Sequence, residues 1–277
     1  MITKREFADL LATFIEDGVV REVQKTNTSY VGITLNKIDV PMPIINVDEY
    51  YEKFVKYMSN MGMDIGETIR NNTMEINMDI LLDYELAKEY LTLRIMLKKW
   101  NEGKLMDIPH DMFGEFAVVP YVAYEDKAVA VTNRVLAKWD VTKERVFSDA
   151  KLGEAVLKEF NVFTMFDESL SHNLLDDPDT ARECNFMYLT NPAGFHGSNV
   201  VLIPGILKVL YETLGREFWM IPSSVHEWIV VPTDGYSEED KETLNGMVLE
   251  VNKTQVAKDE WLSDRVYFYN ASKGELV

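Results

Sequence analysis

The densest gathering of side chains able to do chemistry is Pro222-Ser223-Ser224-Val225-His226-Glu227-Trp228, which puts two hydroxyls, an imidazole and a carboxylate side by side. Such a set could supply a nucleophile and a base for hydrolysis. The run Val225 to Val231 reads as a strand. Alternation then directs His226 to the same face as Ser224, Trp228 and Val230, and Glu227 to the opposite face with Val225, Ile229 and Val231. His226 and Glu227 cannot then form a dyad, so a hydrolase would have to use Ser224 with His226. No Gly-x-Ser-x-Gly elbow surrounds Ser224 and no third group orients the histidine, so a turn serine and a histidine beside an aromatic residue is the favoured reading. Glu227 is odder: on an apolar strand face a carboxylate needs a solvated edge or a buried partner such as an arginine. Ser223, Glu227, Trp228 and, from elsewhere in the chain, His110 are the accompanying binding candidates.

The other reactive residues are dispersed. His110, His172, His196 and His226 stand far apart, with neither the i, i+4 spacing of a helical zinc site nor a place beside Cys184 in a zinc ribbon, so no metal is expected. His110-Asp111 could be a metal pair, but a helix start at Pro109-His110-Asp111 explains it equally well. Gly194-Phe195-His196-Gly197-Ser198 has the glycines of a phosphate loop without its lysine and fits a hairpin turn; no cofactor is expected. Asp176-Asp177-Pro178-Asp179 reads as a solvated loop, and Glu238-Glu239-Asp240 as a helix N-terminus stabilised by its dipole.

These residues must be positioned by an α+β framework. Thr3-x-x-Glu6 is a capping box, and Phe7, Leu10, Leu11 and Phe14 follow at helical spacing before Gly18. Short β-prone runs at Val19 to Gln24, Tyr30 to Leu35 and Met42 to Ile45 predict an antiparallel meander, and Asp48 can cap a helix over Glu49 to Met58. Leu86, Tyr90, Leu93 and Leu97 predict one long helix over about Leu81 to Trp100. Phe116 to Tyr124 and Ala128 to Thr132 form a hairpin around Glu125-Asp126-Lys127, and Thr142 to Phe160 reads as a helix. Strands are expected at Phe186 to Leu189 and Asn199 to Ile203, then a helix from Pro204-Gly205 to about Leu214. A hairpin of Phe218 to Ile221 with Val225 to Val231 follows, then a helix capped by Ser237 and a strand at Arg265 to Tyr269. The expectation is antiparallel hairpin sheets with helices packed on them, in two interdependent subdomains. These are an N-terminal α+β part at 1–165 and a C-terminal ββαββαβ part at 186–277. Between them lies an acidic loop or linker at 166–185, where Asp167 to Glu183 sets six acids against Arg182.

Composition bounds the function. With 277 residues and 47% hydrophobic content, including 13 Phe, 13 Tyr and 5 Trp, the chain can bury a substantial core. Charges occupy the first residues where an export signal would be apolar, and no window approaches a membrane span. One cysteine, Cys184, permits no internal disulfide, which suits a reducing cytoplasm. Against 46 Asp and Glu there are only 28 Lys and Arg, a formal charge of −18, so direct binding of nucleic acid is disfavoured. That charge suits solubility first, and secondarily a basic protein partner or imitation of nucleic acid.

Several strings together resemble a bacterial and phage family known only as a domain of unknown function. They include Met106-Asp107-Ile108-Pro109-His110-Asp111-Met112-Phe113, Leu136-Ala137-Lys138-Trp139-Asp140-Val141-Thr142-Lys143-Glu144, Ile203-Pro204-Gly205-Ile206-Leu207, and Ile221-Pro222-Ser223-Ser224-Val225-His226-Glu227-Trp228 with Leu262-Ser263-Asp264-Arg265-Val266-Tyr267-Phe268-Tyr269. After Ala150, where the family has an Asn-Thr-Pro element, this chain has Lys151-Leu152-Gly153-Glu154-Ala155-Val156. The resemblance implies no activity. The expected function is a non-enzymatic accessory or regulatory role in the cytoplasm through binding another protein. Its alternatives are an acidic mimic that inhibits a DNA- or RNA-binding protein and a hydrolase using Ser224 and His226.

Overall fold

The computed structural model describes residues 2–37, 42–54, 65–69, 78–124, 127–160 and 172–277. It is an α+β fold whose described strands pair antiparallel in three sheets. The first helix, α1 (Lys4–Ala12), carries the full capping box: Thr3 Oγ1 accepts from the Glu6 N–H, and the Glu6 carboxylate accepts from the Thr3 N–H. Its Phe7, Ala8 and Leu11 are buried against a small sheet of β1 (Gly18–Lys25), β2 (Thr28–Leu35) and β3 (Ile45–Asn46), the expected meander. A helix at Asp48–Phe54 follows, and the rest of the helix expected to Met58 lies outside the described residues.

The second sheet corrects the long helix expected over Leu81 to Trp100. That stretch holds short helices at Met78–Leu82 and Tyr84–Ala87, a single 3-10 turn, the strand β4 (Leu91–Leu97), and a helix at Lys98–Leu105. Leu93 and Leu97 fit a helical stripe, but Leu91, Leu93, Ile95 and Leu97 fit an alternating one. The alternating pattern wins because β6 (Phe116–Tyr124) pairs with all seven residues of β4, from Leu91 opposite Val122 to Leu97 opposite Phe116. β5 (Asp111–Phe113) and β7 (Lys127–Ala130) flank the other edge of β6, so Pro109-His110-Asp111 leads into a strand rather than a helix.

The expected helix Thr142 to Phe160 is also shorter. It ends at Asp149, and the chain resumes as β8 (Val156–Glu159) at the edge of a six-stranded sheet. There it pairs with β9 (Met187–Thr190), followed in the sheet by β11 (Trp228–Pro232), β10 (Phe218–Pro222), β12 (Tyr267–Asn270) and β13 (Glu275–Leu276). This sheet therefore takes strands from both sides of the acidic segment. Within that segment, residues from His172 onward form a 3-10 turn at Leu174–Asp176 and a helix at Pro178–Glu183, and Leu174, Ala181 and Cys184 are buried.

One core joins the two larger sheets. Leu93, Ile95, Leu97, Phe116 and Val118 from the first pack with Leu157, Leu189, Met220, Trp228 and Tyr267 from the second. At its centre the fully buried Trp228 meets Phe116 edge-on at 5.7 Å and Tyr267 at 5.9 Å, and its Nε1–H donates to the Ser198 carbonyl at 2.8 Å. The Tyr267 hydroxyl, shared between Glu115 and Ser263, closes the same joint, and burial with the Glu115 hydrogen bond raises its pKa. On the outer face of the six-stranded sheet the long helix Glu238–Thr254, capped by Ser237 as expected, covers Trp219 and Phe268 through Val248. Truncating Trp228 to alanine should cost about 3–5 kcal/mol of stability, the range for large aromatic core deletions. Urea unfolding would show it, and a loss below about 1 kcal/mol, the scale of a tolerated substitution, would mean the two sheets do not depend on this joint.

Candidate functional site

The strand expected over Val225 to Val231 begins only at Trp228; Pro222 ends β10, and Ser223 to Glu227 form the turn between them. The face assignment of His226 against Glu227 therefore does not hold, because alternation requires extended backbone. Instead Ser224 closes the turn. Its hydroxyl donates to Glu227 Oε1 at 2.9 Å and accepts from the His226 N–H at 3.0 Å. Glu227 thus finds its partner in Ser224, not in an arginine.

His226 is held from the other side. Asn199 to Ile203, expected as a strand, instead completes a 3-10 helix at Gly197–Leu202 with Ile203 as its C-cap, because polar groups here bond across the core instead of along a ladder. Asn199 Nδ2 donates to the Leu93 carbonyl at 2.7 Å and Ser198 Oγ to the Val225 carbonyl at 2.7 Å. Gly197 makes this approach feasible: a Cβ there would collide with Thr190 Oγ1 and lie 2.6 Å from the Asn191 nitrogen and 2.7 Å from the His226 oxygen. His196, at φ 52°, then donates its N–H to His226 Nδ1 at 3.0 Å. With Nδ1 accepting, Nε2 is the ring nitrogen left to donate, and it faces Glu260 Oε1 at 3.6 Å. The rings of Phe195 and His196 pack on it at 5.1 and 5.2 Å.

The result is an open cleft of about 490 Å³ lined by Phe195, Ser223, Ser224, His226, Glu227 and Glu260. The structure brings together Ser223, Ser224, His226 and Glu227, and adds Glu260 and Phe195, which sequence reasoning missed. No local signal marks Glu260; it arrives from the far end of the long helix, where the Val225 N–H donates to its carbonyl at 2.8 Å. Two candidates lie elsewhere. Trp228 is in the core, and His110 sits at the start of β5, with Nδ1 against the Ile108 carbonyl at 2.9 Å and Lys143 bonded to its carbonyl and to Asp111. Among the described residues no three His, Cys, Asp or Glu side chains converge as a metal-binding group.

Chemically, the cleft offers a half-buried imidazole between a backbone donor and a carboxylate, a disposition able to relay a proton. Ser224 does not hydrogen-bond the His226 ring; it is buried, and both its donor and an acceptor lone pair serve the turn. A family model matches residues 8–271, almost the whole of the chain. The chain belongs to a family of unknown function, DUF5688. No curated protein and no solved structure matches it. DUF5688, like the family that the sequence resembles, is one of unknown function and implies no activity.

Two measurements follow from this geometry. Ser224→Ala leaves the half-buried His226 N–H without its acceptor and should cost about 1–3 kcal/mol, whereas Glu227→Gln keeps an acceptor for the Ser224 hydroxyl and should cost less than about 1 kcal/mol; equal losses in urea unfolding would contradict the turn-closing role. His196 supplies the second. Burial first, then the charges of Arg94, His226 and Lys104, push its pKa from the ordinary 6.5 down to about 3. Between those values the unfolded chain binds the proton and the fold does not, so this residue lowers stability as pH falls through that window and is neutral above it. His196→Asn, whose side chain tolerates the left-handed backbone, should lose less stability on acidification than the parent. Parallel pH profiles would show that His196 is not held neutral.

Proposed function

We propose that this DUF5688 protein is a cytoplasmic, non-enzymatic accessory protein that binds another protein along the outer face of its six-stranded sheet. The supporting observation is an apolar groove of about 250 Å³ beside the long helix, lined by Ile221, Ile229, Leu244, Met247, Val251 and Phe160. The helix covers only the part of the sheet around Trp219 and Phe268. It leaves Ile221 and Ile229 at the groove, and turns Met247 and Val251 partly to solvent, at 56% and 44% exposure. Exposed apolar side chains contiguous with a groove mark interaction surfaces.

Charge favours one class of partner. The long helix bears Glu238, Glu239, Asp240, Glu242 and Glu250 against Lys241 and Lys253, and Lys241 is already paired with Glu238. On a chain of formal charge −18, this favours a basic amphipathic segment, its apolar stripe in the groove and its lysines or arginines along the acidic rim. Among the described residues no helix is long and apolar enough to cross a membrane. Buried Cys184 suits a reducing compartment. The charge also keeps imitation of nucleic acid as a second reading. A hydrolase at the His226 cleft is weakened by the commitment of Ser224 to its turn.

Titration calorimetry with a synthetic amphipathic peptide of leucine and lysine tests the proposal. Binding should weaken with salt and fall about tenfold or more in Met247→Glu, the scale expected for a central apolar anchor. Binding indifferent to Met247→Glu would place any partner elsewhere, and none at all would overturn the groove reading.

A further inference from the structure

Arg94 stands on β4 in an otherwise apolar run, and its side chain projects to the face of the sheet that carries Met96, Val119 and Tyr121. It is largely buried, its Nε is fully shielded, and among the described residues it has neither a hydrogen-bond acceptor nor a carboxylate partner. Removing a guanidinium from water is costly unless an anion or hydrogen bonds replace the solvent. A cation–π contact with the Tyr121 ring, 4.4 Å from the guanidinium carbon to the ring centre, offsets part of that cost. A second cation reinforces the first: Lys104 Nζ donates to the Tyr121 hydroxyl at 3.2 Å.

Arg94 opens into a slot of about 30 Å³ shared with Tyr121, His196, Ser198, Thr26 and Asp259. Asp259, the carboxylate of this wall, is engaged by Lys25 at 2.6 Å. Ser198 Oγ is used by the Val225 carbonyl. In a chain with 46 acids and 28 bases, a slot whose unneutralised charge is positive is unusual. Its volume holds roughly two water-sized atoms, which is the size of the two oxygens of a carboxylate, and the guanidinium fork matches that pair bidentately.

We infer that the Arg94 slot is a carboxylate-binding site, taking either a free small carboxylate or the terminal carboxylate of a peptide. The site is separate from the groove on the outer face of the six-stranded sheet and does not depend on the function proposed for it.

Nuclear magnetic resonance of the whole protein tests this directly. Sodium acetate, at constant ionic strength against sodium chloride, should shift the Arg94 Nε–H resonance saturably and raise the unfolding temperature along the same curve. Arg94→Met, which removes an unpaired charge while keeping much of the volume, should fold and lose the acetate response at least tenfold. Arg94→Lys should weaken it by keeping the charge without the fork. A capped dipeptide with a free C-terminal carboxylate, compared with its amide, separates the two sources: tighter binding of the free acid than of acetate assigns the site to a peptide terminus, and the reverse assigns it to a small molecule. An Arg94 resonance that responds no more to acetate than to chloride, or an acetate response retained in Arg94→Met, overturns the inference.

Discussion

The indole of Trp228 has to be dry on both faces and hydrogen-bonded at its nitrogen, and most of the structure around the cleft follows from satisfying those demands together. Phe116 and Tyr267 supply the apolar walls, one from the four-stranded sheet and one from β12, two strands along the six-stranded sheet. The Ser198 carbonyl supplies the acceptor, which draws the Gly197–Leu202 turn against the shared core. Once that turn is in place, Asn199 reaches the Leu93 carbonyl and the His196 N–H meets His226. The orientation of the imidazole in the cleft is thus a downstream result of core packing.

The same packing separates two surfaces of different character. The inward faces of the two larger sheets are consumed by the shared core, so what remains for recognition lies outside it. On one side is the polar cleft with two carboxylates around His226, and on the other the apolar strip between Ile229 and Met247. Pro222 and Ser223 lie where the two approach each other, since Ser223 lines both. The segment Pro222 to Trp228 is therefore a junction: one end turns the chain out of the sheet, the middle carries the cleft, and the last residue anchors the core.

Where local chemistry dictates structure, the sequence was legible. The Thr3 capping box, the β1–β2 hairpin, the hairpin beginning at Phe116 and the Ser237 cap all rest on interactions within a few residues, and each was read close to its true bounds. The misreadings fall where a distant partner decides. Leu91 to Leu97 is made mostly of good helix formers, and pairing with β6 makes it a strand. Val225 to Glu227 has strand composition, but its hydrogen bonds go to Ser198, His196 and Glu260. Glu260 and Phe195 were invisible as cleft residues for the same reason, as both are carried in by the fold. Arg94 did leave a trace, a lone cation in an alternating apolar run, but it was hidden inside the expected helix.

Asn199 meets a carbonyl 106 positions earlier, and Tyr267 meets Glu115 across 152 positions. During synthesis, the inward face of the four-stranded sheet must wait, with Leu93, Ile95 and Phe116 uncovered, until the ribosome has produced Trp228 and then Tyr267. Building one core from both ends of the chain thus ties burial of the first half's apolar face to residues made last.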